Sequence, residues 1–243
     1  MNNMSGKVVM VTGGTSGIGY ASAVRLAKEG ATVIVTGRNE QRGIDIVHEI
    51  RSMNCAADFC PMDLKDEESI SSVVSLVKTK YNRLDALFNN AGMLDLQNFE
   101  ELTKEECREF MDVYLVGTIL VTQKCLPLIL EANGVILNNA SICGLAEINN
   151  EFYLYSMAKA AIIKMTRQLA KKYARIIRVN AICPGTVETA ICNQFNYEEI
   201  SKVHPRGKVG RPEEIAAVAN FLLSDDASYM NGSVITVDGG ESL

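Results

Sequence analysis

A glycine-rich segment between an apolar run and a helical pattern is the strongest constraint on how this chain folds. The apolar run Val8–Val11 leads into Thr12–Gly19, which contains four glycines, and Ala23, Leu26 and Ala27 then recur at helical spacing. Glycine lets a backbone approach a phosphate closely, and a helix N-terminus offers free N–H groups and a partial positive charge. The segment therefore predicts a strand–turn–helix unit that binds a phosphate-bearing ligand. The alternative is a tight glycine-rich turn without a ligand.

Apolar runs and helical patterns alternate along the rest of the chain. Runs rich in Val and Ile without polar alternation, such as Ala31–Val35, are typical of parallel strands covered on both faces. Strands are predicted at residues 7–12, 31–36, 55–60, 84–89, 133–139, 175–182 and 233–238. No repeat or linker interrupts them, and 243 residues suffice for one α/β domain. We predict a single domain, residues 1–243, with a doubly wound parallel seven-stranded sheet.

Composition excludes several classes of function. Hydrophobic residues make up 47% of the chain and charged residues 22%, the balance of a globular enzyme. A formal net charge of −5 argues against a nucleic-acid partner or an anionic membrane surface. No apolar run approaches the ~18 residues of a membrane span. Because Met1–Lys7 has no apolar core, we expect no secretory signal and a cytoplasmic location.

The cysteine pattern does not support a disulfide framework or a metal site. Seven cysteines are scattered without Cys-x-x-Cys spacing, and the chain has only two histidines. We therefore expect no bound metal and reduced thiols, which suit the cytosol. Cys143 lies two residues past Ser141, and Cys183 directly precedes Pro184. Both could be reactive thiols, although buried cysteines usually serve as small apolar fillers.

A tyrosine and a lysine four residues apart, Tyr155 and Lys159, suggest proton-transfer chemistry. One helical turn brings such side chains together. A tyrosine, with an ordinary pKa near ~10, transfers protons poorly at neutral pH unless a nearby cation favours the phenolate. Ser141 follows the apolar run Val135–Leu137, where a strand would deliver its hydroxyl to the same cleft. The alternative is a half-buried aromatic beside a solvated lysine.

Five motifs, in this order and spacing, resemble the short-chain dehydrogenase/reductase family in its single-domain form. They are Thr12–Gly19, Asn89–Gly92, Ser141, the Tyr155/Lys159 pair and Pro184–Gly185. The resemblance implies a strand order 3-2-1-4-5-6-7, with ligand at the carboxyl ends of the strands. It also implies reversible hydride transfer between C4 of a nicotinamide and the carbon of a carbonyl or secondary alcohol.

The resemblance assigns a role to each residue of the site. Tyr155 would be the general acid/base, Ser141 would stabilise charge on the substrate oxygen, and Lys159 would lower the tyrosine pKa and hold the nicotinamide ribose. The implied cofactor contacts, besides Tyr155 and Lys159, are Gly13, Thr15, Ser16, Gly17, Ile18, Gly19, Arg38, Asp63, Leu64, Asn90, Ala91, Gly92, Pro184, Gly185, Val187 and Thr189. Asp63 would contact the adenine, but it could equally be the N-cap of a helix over Glu67–Lys80.

One position departs from the family. In the segment Val113–Gly117, Tyr114 stands where the family has an asparagine that helps hold a proton-relaying water. We count Tyr114 among the predicted catalytic residues, since its hydroxyl could support a water. Its larger ring could instead intrude on the site, or simply pack.

The end of the second strand indicates which nicotinamide nucleotide binds. An acidic residue there would accept from the ribose 2′-OH, but this chain has Gly37 followed by Arg38. A guanidinium can bind the 2′-phosphate of NADP, so NADP is predicted to be preferred, with NAD possible. The glycine segment carries no basic residue, and Arg38 could also be a solvated residue that opens the next helix.

Residues 186–205 form the predicted substrate lid and carry Ile191, Cys192, Phe195 and Tyr197. Because Ile191–Ser201 contains no Arg or Lys, we expect a small or flat apolar carbonyl or alcohol substrate. The resemblance further implies a homotetramer or homodimer through long helices at Thr103–Leu130 and Phe152–Tyr173. Two alternatives are a dinucleotide sensor or scaffold with little turnover and a Rossmann-like methyltransferase.

Overall fold

Seven parallel strands form one sheet in the order β3-β2-β1-β4-β5-β6-β7, which is the order that the family resemblance implied. The computed structural model describes residues 3–94, 96–148, 151–189 and 195–243. The strands are β1 Val8–Val11, β2 Thr32–Gly37, β3 Ala57–Pro61, β4 Ala86–Asn89, β5 Val135–Asn139, β6 Arg178–Pro184 and β7 Val234–Val237. Every predicted strand is present, within a few residues of its predicted bounds.

Eight α-helices accompany this sheet in the described part of the chain. They are α1 Gly17–Lys28, α2 Glu40–Ser52, α3 Glu67–Tyr81, α4 Lys104–Met111, α5 Thr118–Glu131, α6 Tyr153–Lys172, α7 Tyr197–Val203 and α8 Pro212–Leu223. One buried apolar cluster joins α1, α2 and α8 to the sheet, and a second joins α3 and α5 to it. The chain therefore has the predicted doubly wound α/β fold.

The long helix predicted at Thr103–Leu130 is interrupted in its middle. A π-helical turn, Asp112–Gly117, joins α4 to α5 and contains Tyr114. Such turns insert an extra residue into the hydrogen-bond ladder and often occur at functional sites.

By length and mean hydropathy, 1.7 over an 18-residue stretch, the run Lys104–Glu131 could cross a membrane. Inside the protein, however, 44% of that stretch is buried. A core helix of a soluble protein passes the same test, so the run is weak evidence for a membrane span.

The position of the site follows from the strand order. Strand β1 pairs with β2 along one edge and with β4 along the other. The connection after β1 therefore runs toward β2, and the connection after β4 runs away from it, toward β5. The crevice that this reversal opens lies at the carboxyl ends of β1 and β4, where doubly wound folds bind ligands.

Candidate active site

A cavity of about 640 Å³ occupies this crevice and collects nearly all the predicted site residues. Ser141, Tyr155, Lys159 and Tyr114 line it, as do all the predicted cofactor contacts except Gly19. Gly19 lies behind the glycine loop, where a Cβ atom would overlap the carbonyl oxygen of Gly13. Its role in the structure is to let the loop close on α1.

Backbone conformation explains why the loop needs glycine at its start. Gly13 has φ +63°, and a Cβ atom there would lie 2.7 Å from the Cα of Ala91. A side chain would be strained and would also push the loop away from the segment after β4. The hydroxyl of Thr12 fixes this contact by accepting hydrogen bonds from the N–H groups of Asn90 and Ala91, at 2.9 and 3.0 Å.

The N-terminus of α1 has the properties of a phosphate site. Within the described residues, the N-cap Ser16 makes no side-chain capping bond and the first turn has no acidic residue. The first N–H groups of the helix, together with its dipole, are therefore available to an anion. Thr15, Ser16, Gly17 and Ile18 line the cavity at this point. A dinucleotide pyrophosphate fits these donors.

Two arginines line the cavity beyond β2. Arg38 is exposed and precedes α2, whose N-cap is Asn39, while Arg42 lies in the first turn of α2. The side chain of Asn39 accepts from the N–H of Arg42 at 3.0 Å and so orders the start of this helix. Arg42 was not among the predicted site residues, although its spacing of four residues from Arg38 is a detectable signal.

Asp63 is a cavity residue and not a helix cap. The N-cap of α3 is Asp66, whose carboxylate accepts from the N–H of Glu68 at 2.9 Å, so the N-cap alternative for Asp63 was wrong. The Asp63 carboxylate instead accepts from the N–H of Lys65 at 3.0 Å, and both residues line the cavity together with Leu64.

A chain of hydrogen bonds links the glycine loop to the buried lysine. Asn90 donates to the carbonyl oxygen of Thr12 at 3.0 Å, and Asn139 donates to the side-chain oxygen of Asn90 at 2.9 Å. The Nζ of Lys159 then donates to the carbonyl oxygen of Asn139 at 2.6 Å. Asn139, which sequence reasoning missed, therefore couples the two halves of the cavity. No local sequence pattern reveals this long-range contact.

Ser141, Tyr155 and Lys159 come together at the other end of the cavity. Ser141 follows β5, and its Oγ accepts from the N–H of Cys143 at 3.2 Å. With a lone pair engaged in this way, the hydroxyl can direct its hydrogen into the cavity. Tyr155 and Lys159 lie one turn apart on α6, and the lysine Nζ is 5.4 Å from the centroid of the tyrosine ring.

Lys159 is buried, and burial lowers the pKa of its ammonium to about 8. The charged form is expensive in an apolar environment, and the Asn139 carbonyl offsets only part of that cost. Near neutral pH the ammonium form of Lys159 still predominates. A positive charge at this position favours the phenolate form of Tyr155.

Tyr114 forms part of the wall beside both groups. Its ring stacks on Phe110 at 4.5 Å, and the Nζ of Lys159 is 5.4 Å from its centroid. A Cβ atom at Gly92 would lie 2.7 Å from the Tyr114 ring, so the glycine provides the space that this ring needs. The tyrosine therefore presents a ring, and not an amide, to Lys159.

The two cysteines near Ser141 have the properties of apolar fillers. Burial raises the pKa of both thiols, that of Cys183 to about 11, so neither is a ready nucleophile. Cys192 lies outside the described residues. Among those that are described, no group of three His, Cys, Asp or Glu side chains could hold a metal ion.

Further aromatic residues pack beside Tyr155. Phe152 lies edge-on to Tyr155 and to Phe195, with centroids 6.0 and 6.1 Å apart. The hydroxyl of Tyr197 bonds to both the N–H and the carbonyl of Thr189, at 3.1 and 2.9 Å, which ties α7 to the loop after β6. Ile191 and Cys192 of the predicted lid lie outside the described residues.

The fold and this constellation are those of a dinucleotide-dependent oxidoreductase, and comparisons with known proteins agree. The model of a family described as enoyl-(acyl carrier protein) reductase matches residues 13–242. Cyclohexanol dehydrogenase of Acinetobacter sp. (strain SE19) is 37% identical, over 98% of this chain and 96% of its own. 3-oxoacyl-(acyl-carrier-protein) reductase FabG of Thermotoga maritima is also 37% identical, over 98% of each chain.

Solved structures give the same result. A short-chain type dehydrogenase/reductase from Mycobacterium marinum superposes with a TM-score of 0.94 at 28% identity, over 99% of this chain and 97% of the other. The chain therefore belongs to the short-chain dehydrogenase/reductase family. It is an NAD(P)-dependent oxidoreductase of the kind that acts on alcohol and carbonyl groups.

Proposed function

We propose that the protein transfers hydride reversibly between NADP and a small, mainly apolar carbonyl compound or secondary alcohol. The observation that carries this proposal is the shared cavity: Ser141, Tyr155 and Lys159 lie at one end, and the glycine loop and its arginine pair lie at the other. One elongated cavity can then hold a dinucleotide with its nicotinamide beside the acid/base group.

Each residue has a defined task in the proposed reaction. The bound nicotinamide ring supplies or accepts the hydride. Ser141 donates a hydrogen bond to the substrate oxygen and stabilises the charge that develops there. Tyr155 gives or takes the proton at that oxygen, and the Lys159 ammonium beside its ring favours the phenolate form. The hydrogen bonds from Lys159 to Asn139 and from Asn139 to Asn90 fix the position of these groups relative to the glycine loop.

The arginine pair supports the preference for NADP. Both Arg38 and Arg42 line the cavity, and Gly37, at the end of β2, supplies no carboxylate to repel a 2′-phosphate. A charged hydrogen bond is worth roughly 1.5–3 kcal/mol, which is on the order of 10- to 100-fold in affinity. NAD remains a cofactor that the same cavity can hold with lower affinity.

The surroundings of the substrate end favour an uncharged substrate. Phe152 and Phe195 pack beside Tyr155 and make its surroundings apolar. Exposed glutamates lie on the neighbouring segments. Lys202, on α7, is paired with Glu199 at 2.7 Å. The exposed glutamates are Glu151, Glu188, Glu198 and Glu199. Glu188 directly precedes Thr189, which lines the cavity, so its carboxylate disfavours an anionic substrate at that point.

We also propose that the protein acts as a homodimer or homotetramer in the cytoplasm. On the π-turn and α5, the apolar side chains of Val116 and Ile119 are exposed on one helical face, and Met157 is exposed on α6. Packing against a second copy would cover this surface. The six cysteines described are all free thiols, which suits a reducing compartment.

The proposal is tested by titrating the protein with NADPH and NADH under fluorescence detection, followed by turnover assays on a panel of ketones and secondary alcohols. We expect tighter NADPH binding and turnover of small cyclic or flat substrates. Cofactor binding without turnover on the whole panel would instead favour a dinucleotide sensor. The observation that favours this second candidate is Tyr114, whose ring lies where the family has a relay asparagine.

A further inference from the structure

The C-terminal segment lies directly behind the loop that closes the nicotinamide end of the cavity. After β7 the chain turns back at Asp238, and Glu241 reaches the loop that follows β6. Its carboxylate accepts two hydrogen bonds from Thr186, one from the N–H at 2.6 Å and one from the hydroxyl at 2.7 Å. The neighbours of Thr186 in this loop, Pro184, Gly185 and Val187, line the cavity.

Gly185 shows how closely the two segments pack. A Cβ atom at this glycine would overlap the Glu241 carboxylate and lie 2.7 Å from the Cβ of Asp238. The N–H of Gly185 also donates to the carbonyl oxygen of Val237 at 3.2 Å. The Glu241 side chain is only 17% exposed, so its carboxylate acts on Thr186 with little competition from water.

The segment that carries Glu241 is itself held in place. The Asp238 carboxylate accepts from the N–H groups of Gly240 and Ser242, both at 2.9 Å. The ring of His204 bonds through Nε2 to the carbonyl oxygen of Asp238 at 3.0 Å, while its Nδ1 accepts from the N–H of Arg206 at 3.1 Å. Since an accepting Nδ1 is unprotonated, Nε2 is the donor, and His204 ties the end of α7 to the tail.

The opposite edge of the loop is fixed by backbone bonds. The carbonyl of Thr186 accepts from the N–H of Gly210, and the N–H of Glu188 donates to the carbonyl of Gly210, both at 2.9 Å. Thr186 is therefore held between Gly210 on one side and Glu241 on the other. Only the second connection depends on a side chain, so it can be removed by substitution.

We infer that Glu241 is a positioning residue for the cofactor: it sets the place of the Pro184–Val187 loop and thereby the affinity for the nicotinamide half of the dinucleotide. The inference rests on the proposed function, because it assumes that a dinucleotide occupies the cavity. Glu241 itself does not line the cavity, so it acts through Thr186 and Gly185.

The test compares Glu241→Ala and Glu241→Gln with the wild type by measuring the Kd of NADPH and the Kd of 2′,5′-ADP, which lacks the nicotinamide. We expect Glu241→Ala to weaken NADPH about tenfold, the size of one charge-assisted hydrogen bond, and to leave 2′,5′-ADP unchanged. Glu241→Gln should retain most of the affinity, because its amide oxygen can still accept from Thr186. Glu213→Ala, which removes an exposed carboxylate elsewhere, is the control for net charge.

Several outcomes would overturn the inference. Unchanged NADPH affinity in Glu241→Ala would show that the loop does not need the carboxylate, and equal losses for both ligands would show a general structural defect. If Glu241→Ala does not fold, Thr186→Val removes the hydroxyl partner alone, and wild-type affinity in that variant counts against the inference. A wild type that binds neither NADPH nor NADH overturns the proposed function and this inference together, whereas failure of the variants alone overturns only the inference.

Discussion

The ring of Tyr114 lies edge-on to the ring of Tyr155, with centroids 5.7 Å apart and planes at 90°. Lys159 Nζ is 5.4 Å from each of these rings, so the ammonium has an aromatic neighbour on two sides. Cation–π attraction is worth roughly 0.5–2 kcal/mol, the larger values applying to desolvated groups like this one. The Tyr114 ring thus favours the charged form of Lys159, whereas the asparagine that the family has at this position helps hold a water.

Two substitutions distinguish the contribution of the Tyr114 hydroxyl from that of its ring. We expect Tyr114→Phe to keep the stack on Phe110 and the folded stability. If the hydroxyl supports the proton relay, kcat should fall by about tenfold, less than the ~10²-fold of a missing general acid/base. Steady-state kinetics and thermal unfolding measure the two effects.

Tyr114→Asn is the complementary variant. It restores the family amide, but it leaves a cavity in a buried cluster and should cost roughly 3–5 kcal/mol, as deletion of a large buried aromatic ring does. A rise in kcat with this variant would mean that the ring blocks the relay, which favours the sensor. A change in kcat of less than about threefold in both variants would make Tyr114 a packing residue.

Tyr155→Phe should abolish turnover while leaving cofactor affinity nearly unchanged. The substitution removes the proton-transferring hydroxyl and almost no volume, so the edge-on contacts with Tyr114 and Phe152 survive. We expect a loss of at least ~10²-fold in kcat, typical of a missing general acid/base. Turnover assays with NADPH measure kcat, and a fluorescence titration measures the affinity for the cofactor. Retention of most of the activity would exclude Tyr155 as the acid.

Arg38→Ala and Arg42→Ala should weaken NADPH more than NADH. Only NADPH has the 2′-phosphate that loses a charged partner, and each loss should be on the order of 10-fold or more. The ratio of the two Kd values is the measurement, because a general disturbance of the cavity changes both cofactors alike. Arg175→Ala, at an exposed position in the turn after α6, is the control.

Most of the predicted strands and helices follow from local patterns of apolar residues in the sequence. Continuous runs of Val and Ile identify strands buried on both faces, and the spacing of Tyr155 and Lys159 identifies one face of α6. The strand order itself came from resemblance, since no single strand encodes its neighbours. The bounds of β6 shifted because a turn after α6 takes up residues 173–176, which the apolar pattern alone does not distinguish from strand.

The features that sequence reasoning missed depend on distant contacts. Asn139 bonds to Asn90 across 49 residues, and Glu241 reaches Thr186 across 55. The π-turn at Tyr114 likewise accompanies the packing of its ring against Phe110 and Gly92. Such pairs become visible only when the sheet has placed the strand ends together, so a linear pattern cannot indicate them.

The lowered pKa of Lys159 predicts how stability depends on pH. Its folded-state value is about 8, below that of an exposed lysine, so between those values the unfolded chain binds the extra proton. Stability should therefore rise with pH from about 8 upward, and the burial cost of the charge is present in full below that value.

Lys159→Met removes this titration and serves as the reference. At 1.36 kcal/mol per pKa unit, the cofactor-free wild type should gain up to about 2 kcal/mol of unfolding free energy relative to the variant between pH 8 and 9.5. Urea unfolding at the two pH values measures this difference, because the variant keeps every other titrating side chain. Parallel pH dependence of the two proteins would mean that the lysine titrates normally.

The exposed apolar face of the π-turn and α5 predicts self-association. Val116 and Ile119 are 42% exposed each, one helical turn apart, on the same face as Gln123. We expect light scattering at micromolar concentration to give the mass of a dimer or tetramer. Ile119→Glu should shift the wild type toward the monomer, because a carboxylate at the centre of an apolar interface must be desolvated. Gln41→Glu adds the same charge to an exposed polar position of α2, which packs on the opposite face of the sheet, and is the control. A wild type that is monomeric under these conditions contradicts the prediction, as does an oligomer that Ile119→Glu leaves intact.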